Sequence, residues 1–186
     1  ASGTEENFRK VLEGCGEAEV KYQHKFSHTV LMQMATHHDW PEAAAALVTR
    51  GCDVKATNNS GQTALHYAVE GGHRALARLL IERGAPVDAV QRGSTHDWYR
   101  PRNRRPLDVA LRKGDRQTVR LLLKGGAEYT LDAAVFLGDA SSARRLCRSA
   151  DQRARCGAQA LTFATQAGDE ALVRLLLKGG VQPTQP

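Results

Sequence analysis

The amino-acid sequence predicts an all-α chain built from stacked helix-turn-helix units, and three observations predict it. One block of residues recurs along the chain at intervals typical of repeat architectures. Each copy carries leucine and alanine at helical spacing. Glycine falls where the helices end, a position that favours a residue free to adopt positive φ. With 186 residues and 41% hydrophobic content, the chain can bury the apolar face that a single unit of this kind leaves open.

The clearest copy runs from Asn59 to Ala89. Gly61-Gln62-Thr63-Ala64-Leu65-His66-Tyr67-Ala68 opens a short helix, with Thr63 placed to cap it. Gly71-Gly72-His73 turns the chain, and Leu76 with Leu79-Leu80-Ile81 lines a second helix that stops at Gly84-Ala85. Leu65, Ala68, Leu76, Leu79 and Leu80 form an apolar face that needs a neighbour. Gly72 and Gly84 are expected in the left-handed region.

The same frame places the remaining units. A partial capping helix spans residues 5–28 around Phe8, Val11 and Leu12, followed by repeat 1 at 29–58 and repeat 2 at 59–91. An inserted finger occupies 92–104. Repeat 3 spans 105–128, with Asp108 where repeat 2 has His66, so a different bonding pattern is expected there. Repeat 4, at 129–157, is degenerate and follows Gly126 too closely for a hairpin, and repeat 5 spans 158–181 before a short tail.

Repeat 2 resembles the ankyrin repeat at nearly every signature position, and the resemblance extends over roughly residues 5–180. It implies an ankyrin-repeat solenoid of about five repeats with an N-terminal capping helix and an extended hairpin finger. It also implies that His66 bonds the backbone of neighbouring loops. Function in such a stack lies in what its concave face meets. From Thr29 to Thr63 is 34 positions, while from Thr63 to Arg105 is 42, so about eight residues are added where the family makes a hairpin. That added stretch carries Trp98, Tyr99 and several arginines, the composition of an interface anchor. The contacts implied by position in the repeat are Asn58, Asn59, Tyr67, Glu70, Arg92, His96, Asp97, Trp98, Tyr99, Arg100 and Arg102.

The net charge of +6 is uneven: residues 1–91 carry net −2 and residues 92–186 net +8, mostly as arginine. Arg100, Arg102, Arg104 and Arg105 beside Trp98 and Tyr99 raise the question of phosphate and base recognition. The excess is modest and acidic residues are interspersed, so nucleic acid is not the expected partner. Cys147 and Cys156 flank a polar stretch read as a linker, Arg148 to Arg155, and are expected to form a disulfide, with buried free thiols as the alternative. Cys15 and Cys52, each following a glycine, are the candidates for a second bridge.

No catalytic, cofactor or metal site is expected. His37-His38-Asp39-Trp40 and His96-Asp97-Trp98 contain ligand-type residues, but neither has further ligands at helical spacing, and His38-Asp39 occupies a turn. The glycines lie at helix ends and not in a phosphate-cradling loop. No apolar run reaches the roughly eighteen residues of a membrane span. A small arginine-rich ankyrin chain with such cysteines resembles bacterial periplasmic ankyrin proteins, some of which are immunity proteins of secreted toxins. The resemblance implies a periplasmic chain whose signal peptide has been removed, with the cytoplasm as the alternative. It further implies that the partner is another protein, an enzyme toxin or effector such as a cell-wall amidase, blocked sterically. The competing expectation is a non-inhibitory adaptor, for example in stress protection.

Overall fold

The computed structural model describes residues 29–92 and 104–181. The expected cap at 5–28, with Cys15, lies outside the described residues, as do positions 93–103 of the finger. The chain divides into two compact units, residues 1–127 and 128–186.

In the first unit the helices come in pairs: α1 (Val30–His37) with α2 (Pro41–Thr49), α3 (Ala64–Gly71) with α4 (Arg74–Glu82), and α5 (Pro106–Arg112) with α6 (Arg116–Lys124). First helices pack on first helices and second on second, so the pairs stack. The N-caps of the first helices fall at Thr29, Thr63 and Arg105, the positions that the repeat frame equates. Leu31, Leu47, Leu65, Leu76, Leu80 and Leu122 are all at 0% exposure, each removing an apolar side chain worth about 1.5–3 kcal/mol from water. Leu79 departs from expectation. It is only partly buried and lines an outer groove with Asp39, Pro41 and Arg78.

Caps hold the short helices in register. Thr29 Oγ1 accepts the Met32 N–H at 3.2 Å. Asp115 accepts the N–H groups of Gln117 and Thr118 at 3.1 Å, relieving two orphan donors of α6. Repeat 2 has His73 at the equivalent cap, which makes no side-chain bond there. Asp39 of repeat 1 fills the gap, its Oδ1 accepting the Leu76 N–H at 2.8 Å. His38 meanwhile stacks on Trp40 with ring centroids 4.0 Å apart, so the first His-Asp pair is engaged in capping and stacking. Gly72 and Gly84 take φ of +77° and +84°, the left-handed conformation expected of them.

The second unit contains α7 (Leu131–Leu137), α8 (Ala140–Leu146), α9 (Ala150–Gln166) and α10 (Glu170–Lys178). Leu131, Ala134, Ala143, Ala160, Ala164 and Leu176 form its core at 0% exposure. Here the structure corrects the sequence reading twice. The stretch from Arg148 to Arg155 is not a linker: Ser149 caps a 17-residue helix through Gln152, and α9 begins eight residues before the expected start of repeat 5. The reason lies in its tertiary partners. Gln152 Oε1 accepts the Leu131 N–H at 3.0 Å, and its Nε2 donates to Glu128 at 3.0 Å. Arg155 grips Glu128 at 2.8 Å and Asp151 at 3.1 Å. The added turns of α9 thus satisfy the start of α7, where repeat 4 has no room for a hairpin.

The second correction concerns the cysteines. The expected Cys147–Cys156 disulfide is not formed. Cys147 caps α8 with its thiol turned into the core, 3.9 Å from the Leu175 carbonyl, while Cys156 rides on α9 and packs against the same core. A helix between them supplies the staple that the bridge was expected to provide. Cys52 is a buried free thiol whose burial raises its pKa, and its expected partner Cys15 lies outside the described residues.

Candidate functional site

The candidate contact edge is built from the turn Asn58–Gln62, the start of α3, and the chain entering and leaving the inserted stretch. Asn58 organises the turn. Its Oδ1 accepts the N–H groups of Ser60 and Gln62, both at 2.9 Å, and its Nδ2 donates to Gln62 Oε1 at 3.0 Å and Tyr67 Oη at 2.9 Å. Tyr67 in turn donates to Gln62 Oε1 at 2.9 Å. Burial raises the Tyr67 phenol pKa, the Asn58 bond opposes the rise and Glu70 adds to it. The network leaves Asn59 and Ser60 exposed at the tip.

The insert leaves and rejoins the repeats through a closed neck. Gln91 and Arg104 form an antiparallel bridge, the Gln91 N–H donating to the Arg104 carbonyl at 2.7 Å and the Arg104 N–H to the Gln91 carbonyl at 3.0 Å. The Arg92 N–H donates to the Ser60 carbonyl at 2.8 Å, tying the neck to the Asn58 turn. Gly61 makes this approach feasible: its φ is +75°, and a Cβ there would lie 2.7 Å from the Val90 carbonyl oxygen.

His66 stands beneath the neck at 1% exposure. Its Nδ1 accepts the Thr63 N–H at 3.1 Å and lies 3.0 Å from Thr63 Oγ1. Since a backbone N–H only donates, Nδ1 carries the lone pair, and the ring is the neutral tautomer with its proton on Nε2. That Nε2–H donates to the Arg104 carbonyl at 3.3 Å. Burial lowers the His66 pKa, with the nearby Arg104 charge adding to the effect and bonds to the Arg104 and Ala89 backbone opposing it. In repeat 3, Asp108 Oδ2 accepts the Arg105 N–H at 2.8 Å, so it keeps the capping half of the histidine's role. A carboxylate has no second arm to donate to a following loop.

Of the residues expected to meet a partner, Asn59, Glu70 and Arg92 are exposed, and Tyr67 is half-buried. Asn58 is buried at 8% exposure, with its side chain engaged in the turn. His96, Asp97, Trp98, Tyr99, Arg100 and Arg102 lie outside the described residues. Arg104 and Arg105, counted with the basic cluster in the sequence, hold the scaffold instead. Arg104 is 4% exposed and Arg105 lies 3.8 Å from Asp88. Sequence reasoning missed Gln62 and the Gln91–Arg104 pair, because their roles exist only once the hairpin closes.

Residues 1–92 match a family model for ankyrin repeats in three copies. The chain is 34% identical to the B-cell lymphoma 3 protein homolog of Mus musculus over 114 residues, 59% of this chain and 23% of that protein. It is 33% identical to NF-kappa-B inhibitor epsilon of Homo sapiens over 104 residues, 52% of this chain and 20% of that protein. The chain therefore spans about a fifth of the length of these curated relatives. Among solved structures, the ankyrin repeat domain of Bcl-3, described as a unique member of the IkappaB protein family, matches with a TM-score of 0.53 and 26% identity, covering 94% of this chain and 64% of that one. Ankyrin repeats are modules that bind other proteins without catalysis. The stacked helix pairs, their caps and these likenesses make the chain a member of the ankyrin-repeat family.

Proposed function

We propose that the chain binds a partner protein along the hairpin edge of its first unit and inhibits that partner by occupying its working surface. The neck carries this reading. Two backbone bonds at Gln91 and Arg104, the Arg92 tie to Ser60 and the buried His66 clamp fix the root of an insertion longer than the repeat needs. Exposed Asn59, Ser60, Val90 and Arg92 surround that root, a mixture of polar groups and one apolar side chain suited to a protein surface. NF-kappa-B inhibitor epsilon is by name an inhibitor, and this chain resembles part of it.

The finer reading is an immunity protein in the bacterial periplasm that blocks a secreted effector enzyme such as a cell-wall amidase. Inhibition of that kind is steric and needs no chemistry from this chain. The test is affinity capture with the full chain, followed by an activity assay on any enzyme retained. Trp98→Ala and Tyr99→Ala should each weaken capture by about 2 kcal/mol or more while the helical signal stays intact. A retained partner whose activity is unaffected at saturation would convert the reading to an adaptor. Unchanged affinity in both variants would remove the insertion from the account.

A further inference from the structure

Repeats 3 and 5 write nearly the same second helix, with one difference in charge. Along its exposed side α10 carries Glu170, Arg174 and Lys178, and Glu170 neutralises Arg174 one turn away at 3.3 Å. In α6 an arginine stands in place of that glutamate. Arg116, Arg120 and Lys124 are exposed at four-residue intervals, a line of cations about 12 Å long. No acidic residue lies within this helix, and Asp115 at its N-cap is taken by Arg74 at 3.2 Å. Like charges at this spacing destabilise a helix, so folding gives no reason for the line. Among the described residues Arg78, Arg120 and Lys124 form no ion pair. Beside them α4 and α6 enclose a groove of about 200 Å³, lined by half-buried Ile81, Leu121 and Gly125 and by exposed Arg78, Glu82 and Lys124. Gly125 draws the two helices together here, since a Cβ on it would lie 2.6 Å from Ile81 Cγ2.

We propose that this groove binds an acidic segment of a partner protein, one aliphatic side chain resting on Ile81 and Leu121 and carboxylates meeting Arg78, Arg120 and Lys124. Charge complementarity calls for an anionic occupant, and the lining selects a peptide among anions. Ile81 and Leu121 give a phosphate backbone nothing to bond, and no aromatic ring lines the groove for a base to stack on. Glu82 on the rim repels a continuous row of phosphates, yet it can accept a backbone N–H from a peptide. A lipid surface would need apolar side chains that stand out from the helices, whereas Ile81 and Leu121 are half-buried. Arg120 and Lys124 are one turn apart, about 6 Å along the axis, which matches carboxylates one turn apart on a partner helix. None of these residues belongs to the hairpin edge, so this contact stands or falls separately from the one proposed above.

Fluorescence anisotropy with the full chain tests it, using a fluorescein-labelled, alanine-based helical peptide that carries glutamates one turn apart beside a central leucine. Saturable binding that weakens with added salt is expected. Arg120→Glu and Lys124→Glu should each lower the affinity at least about fivefold, with circular dichroism unchanged because both side chains are exposed. Arg145→Glu makes the same change in net charge at an exposed position of the second unit and should keep the affinity within about twofold. Joining Arg120→Glu with Lys124→Glu should produce binding to a peptide whose glutamates are replaced by lysines. Serine in place of the peptide's leucine should weaken binding at least about threefold. Absence of binding, an equal loss in Arg145→Glu, or a serine peptide that binds as well would overturn the proposal. So would mixed-sequence duplex DNA or phosphatidylglycerol vesicles that bind more tightly with the same dependence on Arg120 and Lys124.

Discussion

Replacing His66 by alanine isolates the bond that joins the repeat to the neck. The imidazole is 1% exposed, and its loss strips the Thr63 N–H of its acceptor while Thr63 Oγ1 can turn elsewhere. The Arg104 carbonyl keeps the Gln91 N–H at 2.7 Å, so it is only under-satisfied. One orphaned buried donor costs about 1–3 kcal/mol, and the space left by the ring adds to it, for a total of about 3 kcal/mol. Urea unfolding should report that loss, and amide exchange at Gln91 and Arg104 should accelerate relative to the core of α4. The pH dependence has a defined sign. The folded pKa lies below the usual 6.5, so the unfolded chain binds more protons. The contribution of neutral His66 is therefore complete above pH 6.5 and is lost as the pH falls through the lower folded value. His66→Ala should unfold with a flatter acid dependence over that window. A loss under about 1 kcal/mol with unchanged exchange at Arg104 would refute the reasoning.

Three further changes probe other parts of the scaffold. Asn58→Ala removes both arms of the turn network and should cost about 2 kcal/mol in denaturant unfolding, against a few tenths for exposed Asn59→Ala. Gly125→Ala places a methyl 2.6 Å from Ile81 Cγ2, and the strain should lower stability by about 1–3 kcal/mol despite alanine's better helix propensity; a stabilised variant in a thermal melt would mean that Ile81 can move aside. Asp115→Ala should cost about 1 kcal/mol as a lost cap. Partial burial raises the Asp115 pKa, but bonds from Thr118 and Arg74 outweigh it and hold the carboxyl at about 2, so its contribution is complete above the usual 3.8 and disappears as pH falls toward about 2, measurable by acid titration of the unfolding midpoint.

Much of this architecture was legible because it is local. N-caps at Thr29 and Thr63, positive-φ glycines at 72 and 84 and the leucine stripe of α4 depend on residues within one or two turns, and a repeated block states them several times. The candidate site was less legible. Asn58 and Asn59 are adjacent and identical in type, yet one is buried and the other exposed, a distinction made by Tyr67 nine positions away.

The sequence by itself determined the repeat, its spacing, the place of the long insertion and the family. Only the tertiary structure decided what the polar residues do. Arg148 to Arg155 looked like a linker because few of its residues are apolar, and became helix because Gln152 and Arg155 meet Glu128 and Leu131 more than twenty positions back. Cys147 and Cys156 looked like a bridge because of their spacing, and remain apart because that helix carries one of them while the core takes the thiol of the other. Apolar periodicity writes a helix into the local sequence, whereas a hydrogen-bonding side chain shows its role only when folding brings its distant partner within about 3 Å.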